Sequence, residues 1–183
     1  MTALLFRSTV ALSLATALTS QAGAATTPQQ GTLGTTSTGV ISINASVANR
    51  IEISGLSDVS LLNQDPSVNA VSSQTVCVWS NTSTRGYNIT ATGSSTAGSG
   101  FNLASTAGSV PYAVNWTDAK ATSATLASGT NKTGFKSTAT SPDCSTGPAA
   151  AEALKVTVLA ADLQSMQAAT TYTGTLTLVV APE

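Results

Sequence analysis

Histidine is absent from all 183 residues, and that excludes more chemistry than any residue present suggests. Without imidazole there is no Ser-His-Asp or Cys-His site, no His-ligated zinc or copper, and no ordinary histidine general base. Charge is nearly as scarce. Seven Lys plus Arg stand against eight Asp plus Glu, so no basic field exists to hold nucleic acid. Aromatics make up 4% and cysteine occurs twice. What is there instead is hydroxyl: Ser and Thr number 56, which makes a wet, nearly neutral surface suited to protein contacts rather than to long-range steering.

Residues 1–24 read as a secretory signal peptide. Arg7 supplies the positive start, Ser8 to Ser20 is apolar but too short to span a bilayer, and Ala22-Gly23-Ala24 has the small residues of a cleavage site. No later run reaches the length of a membrane span, so the expectation is an exported protein that is not integral to a membrane. Export interprets the cysteines: Cys77 and Cys144, the whole thiol inventory, are expected to form one disulfide. In the chain-entropy model such a bridge contributes roughly 4 kcal/mol. The spacing suits neither a CxxC redox pair nor a metal site.

After a flexible lead at 25–39, period-two alternation begins. Ile41, Ile43, Ala45 and Val47 alternate with Ser42, Asn44 and Ser46, and after Ala48-Asn49-Arg50 the pattern resumes at Ile51 and Ile53. Further strands are expected at 74–80, 86–92, 100–104, 110–117, 133–137, 154–160 and 171–180, with one helical turn near 160–166. Eight or nine short strands predict an all-β fold, a single antiparallel sandwich of immunoglobulin-like type, over residues 50–183.

Other patterns carry no site. The Gly/Ser/Thr-rich stretch 92–100 lacks the Lys of a phosphate loop. The acidic residues Glu52, Asp58, Asp65, Asp118, Asp143, Glu152, Asp162 and Glu183 are scattered singly, which proposes neither a glycosidase nor a calcium site. Five N-x-S/T sequons, at Asn44, Asn81, Asn88, Asn115 and Asn131, are unremarkable in so Ser/Thr-rich a chain. Trp79, Tyr87, Tyr112, Trp116 and Tyr172 lie inside expected strands and read as core. The expectation is no enzyme, no cofactor and no metal.

Three stretches carry a resemblance: Ile41 to Val47 followed by Ile51-Glu52-Ile53, Val110 to Trp116, and Tyr172 to Val179. Together they resemble the major pilin of class 5, alternate-chaperone fimbriae, and more distantly the spore-coat-U-like pilins of other chaperone–usher systems. The lead 25–39 is longer than the class 5 pattern, and the Cys77–Cys144 pair is not part of it. The resemblance implies an incomplete sandwich that lacks its last strand and is completed by a neighbour's N-terminal strand. Residues 40–47 would be that donor strand, with Ile41, Ile43, Ala45 and Val47 entering the neighbour. The implied partners are other copies in a head-to-tail polymer, a periplasmic chaperone, an outer-membrane usher and a host-surface receptor. The implied location is the periplasm in transit and then an extracellular fimbria. From the alternation alone, 40–47 is equally the first strand of a stand-alone secreted β-sandwich binding module.

Overall fold

The computed structural model describes residues 27–94, 100–146 and 152–183. The expected signal peptide lies outside them. The chain divides at Ser46 and Val47 into two units. In the described part of the first, Gln29 and Val40 form an isolated antiparallel bridge through two backbone bonds of 2.9 Å. Residues 41–46 then run on without strand or helix, and so do 47–50 at the start of the second unit.

The second unit is built of strands β1 (Ile51–Ser54), β2 (Ala70–Ser80), β3 (Gly86–Gly93), β4 (Asn102–Ser105), β5 (Gly108–Pro111), β6 (Ala113–Thr117), β7 (Ser123–Leu126), β8 (Asn131–Lys136), β9 (Glu152–Val158) and β10 (Leu176–Pro182). One short helix, α1 (Ala160–Gln164), falls within the stretch expected to hold a helical turn. Every strand pairing is antiparallel. One sheet has the order β1-β2-β9-β6-β7, a second β10-β3-β8, and β4-β5 is a separate hairpin.

Period-two side-chain direction builds the core from this order. Leu154, Val156 and Val158 of β9 turn inward while Ala153, Lys155 and Thr157 turn out; on β3, Tyr87, Ile89 and Ala91 turn inward. Val76 and Val78, Val114 and Trp116, Leu126 and Phe135 complete one apolar cluster that both sheets share. The all-β sandwich expected from the sequence is therefore the observed fold. Cys77 on β2 is bonded to Cys144, which lies in the β8–β9 connection, with Cα atoms 5.9 Å apart.

Several boundaries differ from the expected ones. β2 extends back to Ala70, β7 was not foreseen, and the single strand expected at 110–117 is two. Its first half pairs with β4 and its second half with β7 and β9. Pro111, with no N–H to donate, sits at that changeover. The last strand starts at Leu176 rather than at 171; ahead of it only Thr173 bridges to Ala104. Among the described residues, the alternation at 41–47 belongs to no strand.

Candidate functional site: the open flank of the sandwich

The seven-strand immunoglobulin scheme places strands A-B-E-D in one sheet and C-F-G in the other. Here β1-β2-β9-β6 supply the first order, with β7 added beyond β6. β3 and β10 stand as C and F, and β8 flanks β3 on its far side. Beyond β10, where G belongs, no strand pairs among the described residues.

That leaves two edge strands, β1 of one sheet and β10 of the other, lying against one another on the same flank. Their inward side chains are Ile51, Ile53, Leu176, Leu178 and Val180. All five pack on the core yet stay only half-buried, whereas the core positions of β2, β3 and β9 are closed off from solvent. The flank thus sets half-buried apolar side chains beside a sheet edge that no described strand pairs, the arrangement that proteins ordinarily blunt with charge, proline or a bulge. β10 carries no charged residue, and its one proline, Pro182, stands at its end.

The residues expected to donate a strand are all exposed: Ile41 at 71%, Ile43 at 85% and Val47 at 87%, with Ala45 exposed as well. Three large apolar side chains in seven residues, open to water, are unusual for a chain with its own complete core.

The stretch after them is held. Asn81 Oδ1 accepts the Arg50 amide at 2.7 Å, and Asn81 Nδ2 donates to the Ala48 carbonyl at 2.8 Å. The Asn81 amide donates to the Arg50 carbonyl at 3.1 Å. As a sequon Asn81 carried no weight; nothing in the local sequence signals a contact 31 residues away.

Two carboxylates read as scattered are in fact buried. Asp118 Oδ1 accepts the amides of Lys120 at 2.9 Å and Thr122 at 2.7 Å, and Oδ2 accepts that of Lys136 at 2.8 Å. Asp118 so closes the β6–β7 turn and ties it to β8. Glu152, at the head of β9, is buried near Tyr87. Burial pushes the Tyr87 phenol well up from its ordinary range; the Trp116 N–H bond opposes the shift, and the charges of Glu152 and Asp118 add to it. Asp118 thus serves the β6–β7 turn, and Tyr87 belongs to the apolar core. Among the described residues no three His, Cys, Asp or Glu gather as a metal site, and no helix is long and apolar enough to cross a membrane.

No protein-family model and no curated protein sequence matches the chain. A solved structure that resembles it is described as a chaperone–tip adhesin complex vital for activation of CFA/I fimbriae biogenesis. The likeness has 14% identity and a TM-score of 0.49, and covers 74% of this chain. It spans only 41% of that neighbour's chain.

Proposed function

We propose that this chain is the structural subunit of a bacterial surface fimbria, exported to the periplasm and polymerised head to tail by strand donation. The observation that supports the reading is that, among the described residues, no strand pairs with β10 on its side away from β3. The seven residues of β10 offer an edge about 24 Å long, and the eight residues 40–47 extend to about 27 Å. Burying Ile41, Ile43 and Val47 against it contributes about 1.5–3 kcal/mol each, and main-chain bonds along β10 add to that. Such a head-to-tail contact does not close on itself, so it propagates as a filament. Assembly of this kind needs no nucleotide or metal. An unpaired apolar edge also calls for an escort before polymerisation, the role of a periplasmic chaperone and an outer-membrane usher; a host-surface receptor would be met by the finished fimbria.

The test compares Ile43→Asp with Asn44→Asp. Successive side chains of a strand face opposite ways, so the first puts a carboxylate into a dry groove and the second leaves it in water. Polymer should be lost in Ile43→Asp and kept in Asn44→Asp, with near-ultraviolet circular dichroism confirming that both subunits fold. Equal polymer yields from the two folded variants overturn the reading in favour of a stand-alone secreted module.

A further inference from the structure

Beside the Asn81 clamp lies a surface cavity of about 530 Å³, lined by Asn49, Arg50, Ile51, Glu52, Trp79 and Pro142. Glu52 and Trp79 are register partners on β1 and β2. Because Ile51 and Ile53 turn to the core, Glu52 and Trp79 project from the outer face of the sheet. The walls are fixed on both sides. Asn81 pins residues 48–50, and the Cys77–Cys144 bond anchors the connection that brings in Pro142. Amide, guanidinium, carboxylate and indole thus converge on a preformed concavity that the sandwich core does not use.

Chain continuity selects the occupant. The donor segment ends at Val47 and the cavity lining begins at Asn49, so only Ala48 separates them, a reach of at most about 7 Å. Any copy that takes up Val47 is brought to the cavity rim. We infer that this cavity is a second contact surface for the receiving copy, a collar around the base of the donated strand; the inference rests on the donor reading above. In an antiparallel sandwich the missing strand runs opposite to its neighbour, which brings the Leu176 end of the receiving β10 to the collar. Ser94, Thr173 and Thr175 stand exposed at that end. The Ser94 and Thr175 backbones are already joined at 2.9 Å. Uncharged hydroxyls facing amide, guanidinium and carboxylate groups form a joint made by hydrogen bonds, with the Trp79 ring as its apolar floor.

Trp79 is its own reporter. Of the two tryptophans Trp116 is fully buried and Trp79 half-exposed, so acrylamide quenching reads Trp79. Full-length exported wild-type chain, as polymer, is compared with Ile43→Asp chain, which lacks the donor. The quenching constant should be lower in the polymer by at least about threefold, and Trp79→Phe should polymerise while losing the quenchable signal. Glu52→Arg, a charge reversal at the rim, should slow polymer growth about tenfold without moving the thermal midpoint of the subunit. Wild-type polymer with quenching equal to that of the Ile43→Asp chain overturns the collar and leaves strand donation standing. Polymer from neither chain, or from both alike, overturns strand donation and the collar with it.

Discussion

Trp116 Nε1 donates a 2.9 Å hydrogen bond to Tyr87 Oη, and the two residues belong to opposite sheets. It is a polar rivet through an apolar core, since both side chains are fully buried. Tyr87→Phe removes the acceptor and leaves the indole N–H without a partner. The expected loss is about 1–3 kcal/mol, read from the urea midpoint at neutral pH. An unchanged midpoint would mean that the bond contributes nothing.

The same residue sets an alkaline limit. Burial raises the Tyr87 pKa in the folded chain above its ordinary value of 10.0. Above pH 10 the unfolded chain loses this proton while the folded chain keeps it. Stability is therefore whole below pH 10 and falls as pH rises toward the folded value, by about 1.4 kcal/mol per pH unit for one group. Burial raises Tyr112 as well. Unfolding free energies measured from pH 9 to 11 should fall less steeply in Tyr87→Phe than in wild type. Parallel slopes would refute the assignment.

Cys77 and Cys144 should appear as one joined peptide pair in non-reducing maps of exported protein, with no free thiol. Replacing either by Ser should cost about 2–5 kcal/mol in denaturant unfolding.

Asp118→Ala strips the acceptor from three amides at once. The loss expected is about 2–4 kcal/mol, from charge-assisted bonds left unmade. Hydrogen exchange should show the Lys120, Thr122 and Lys136 amides deprotected while those of β2 and β9 hold. Uniform deprotection would assign Asp118 to global stability instead.

Polymer built by strand donation should survive detergent at room temperature as a ladder on gels and collapse to a single band after boiling, because each joint opens only with its sandwich. A single band under both conditions, at high concentration, would count against it.

The sandwich was legible wherever burial is one-sided. β3 and β9 alternate cleanly because one face meets the core, and Val76 and Val78 mark β2 in the same way. β7 (Ser-Ala-Thr-Leu) was missed because Leu126 is its one large apolar residue and the strand exists by pairing with Val114 to Thr117. The division at Pro111 was missed because apolar periodicity says nothing about which sheet a strand joins. Cys77–Cys144 was readable because only two cysteines exist. Asp118 and Asn81 were not readable as anchors, because their partners are backbone groups that any sequence supplies. The open flank was half legible: Leu176, Leu178 and Val180 read as a strand, but that no described strand pairs beyond them is a fact of sheet order.

β10 pairs with β3 across 83 to 95 residues of sequence, and it is the last strand among the described residues. The second sheet consequently lacks its third strand until β10 has arrived, and the register of that strand is then set by long-range contacts. Such high contact order makes for slow folding. During that delay β3 and β8 wait as a two-stranded ribbon with an apolar face, the kind of species that aggregates when crowded. Removing Leu176–Pro182 would therefore do more than trim an edge: it would leave the β3–β8 pair permanently in its waiting state.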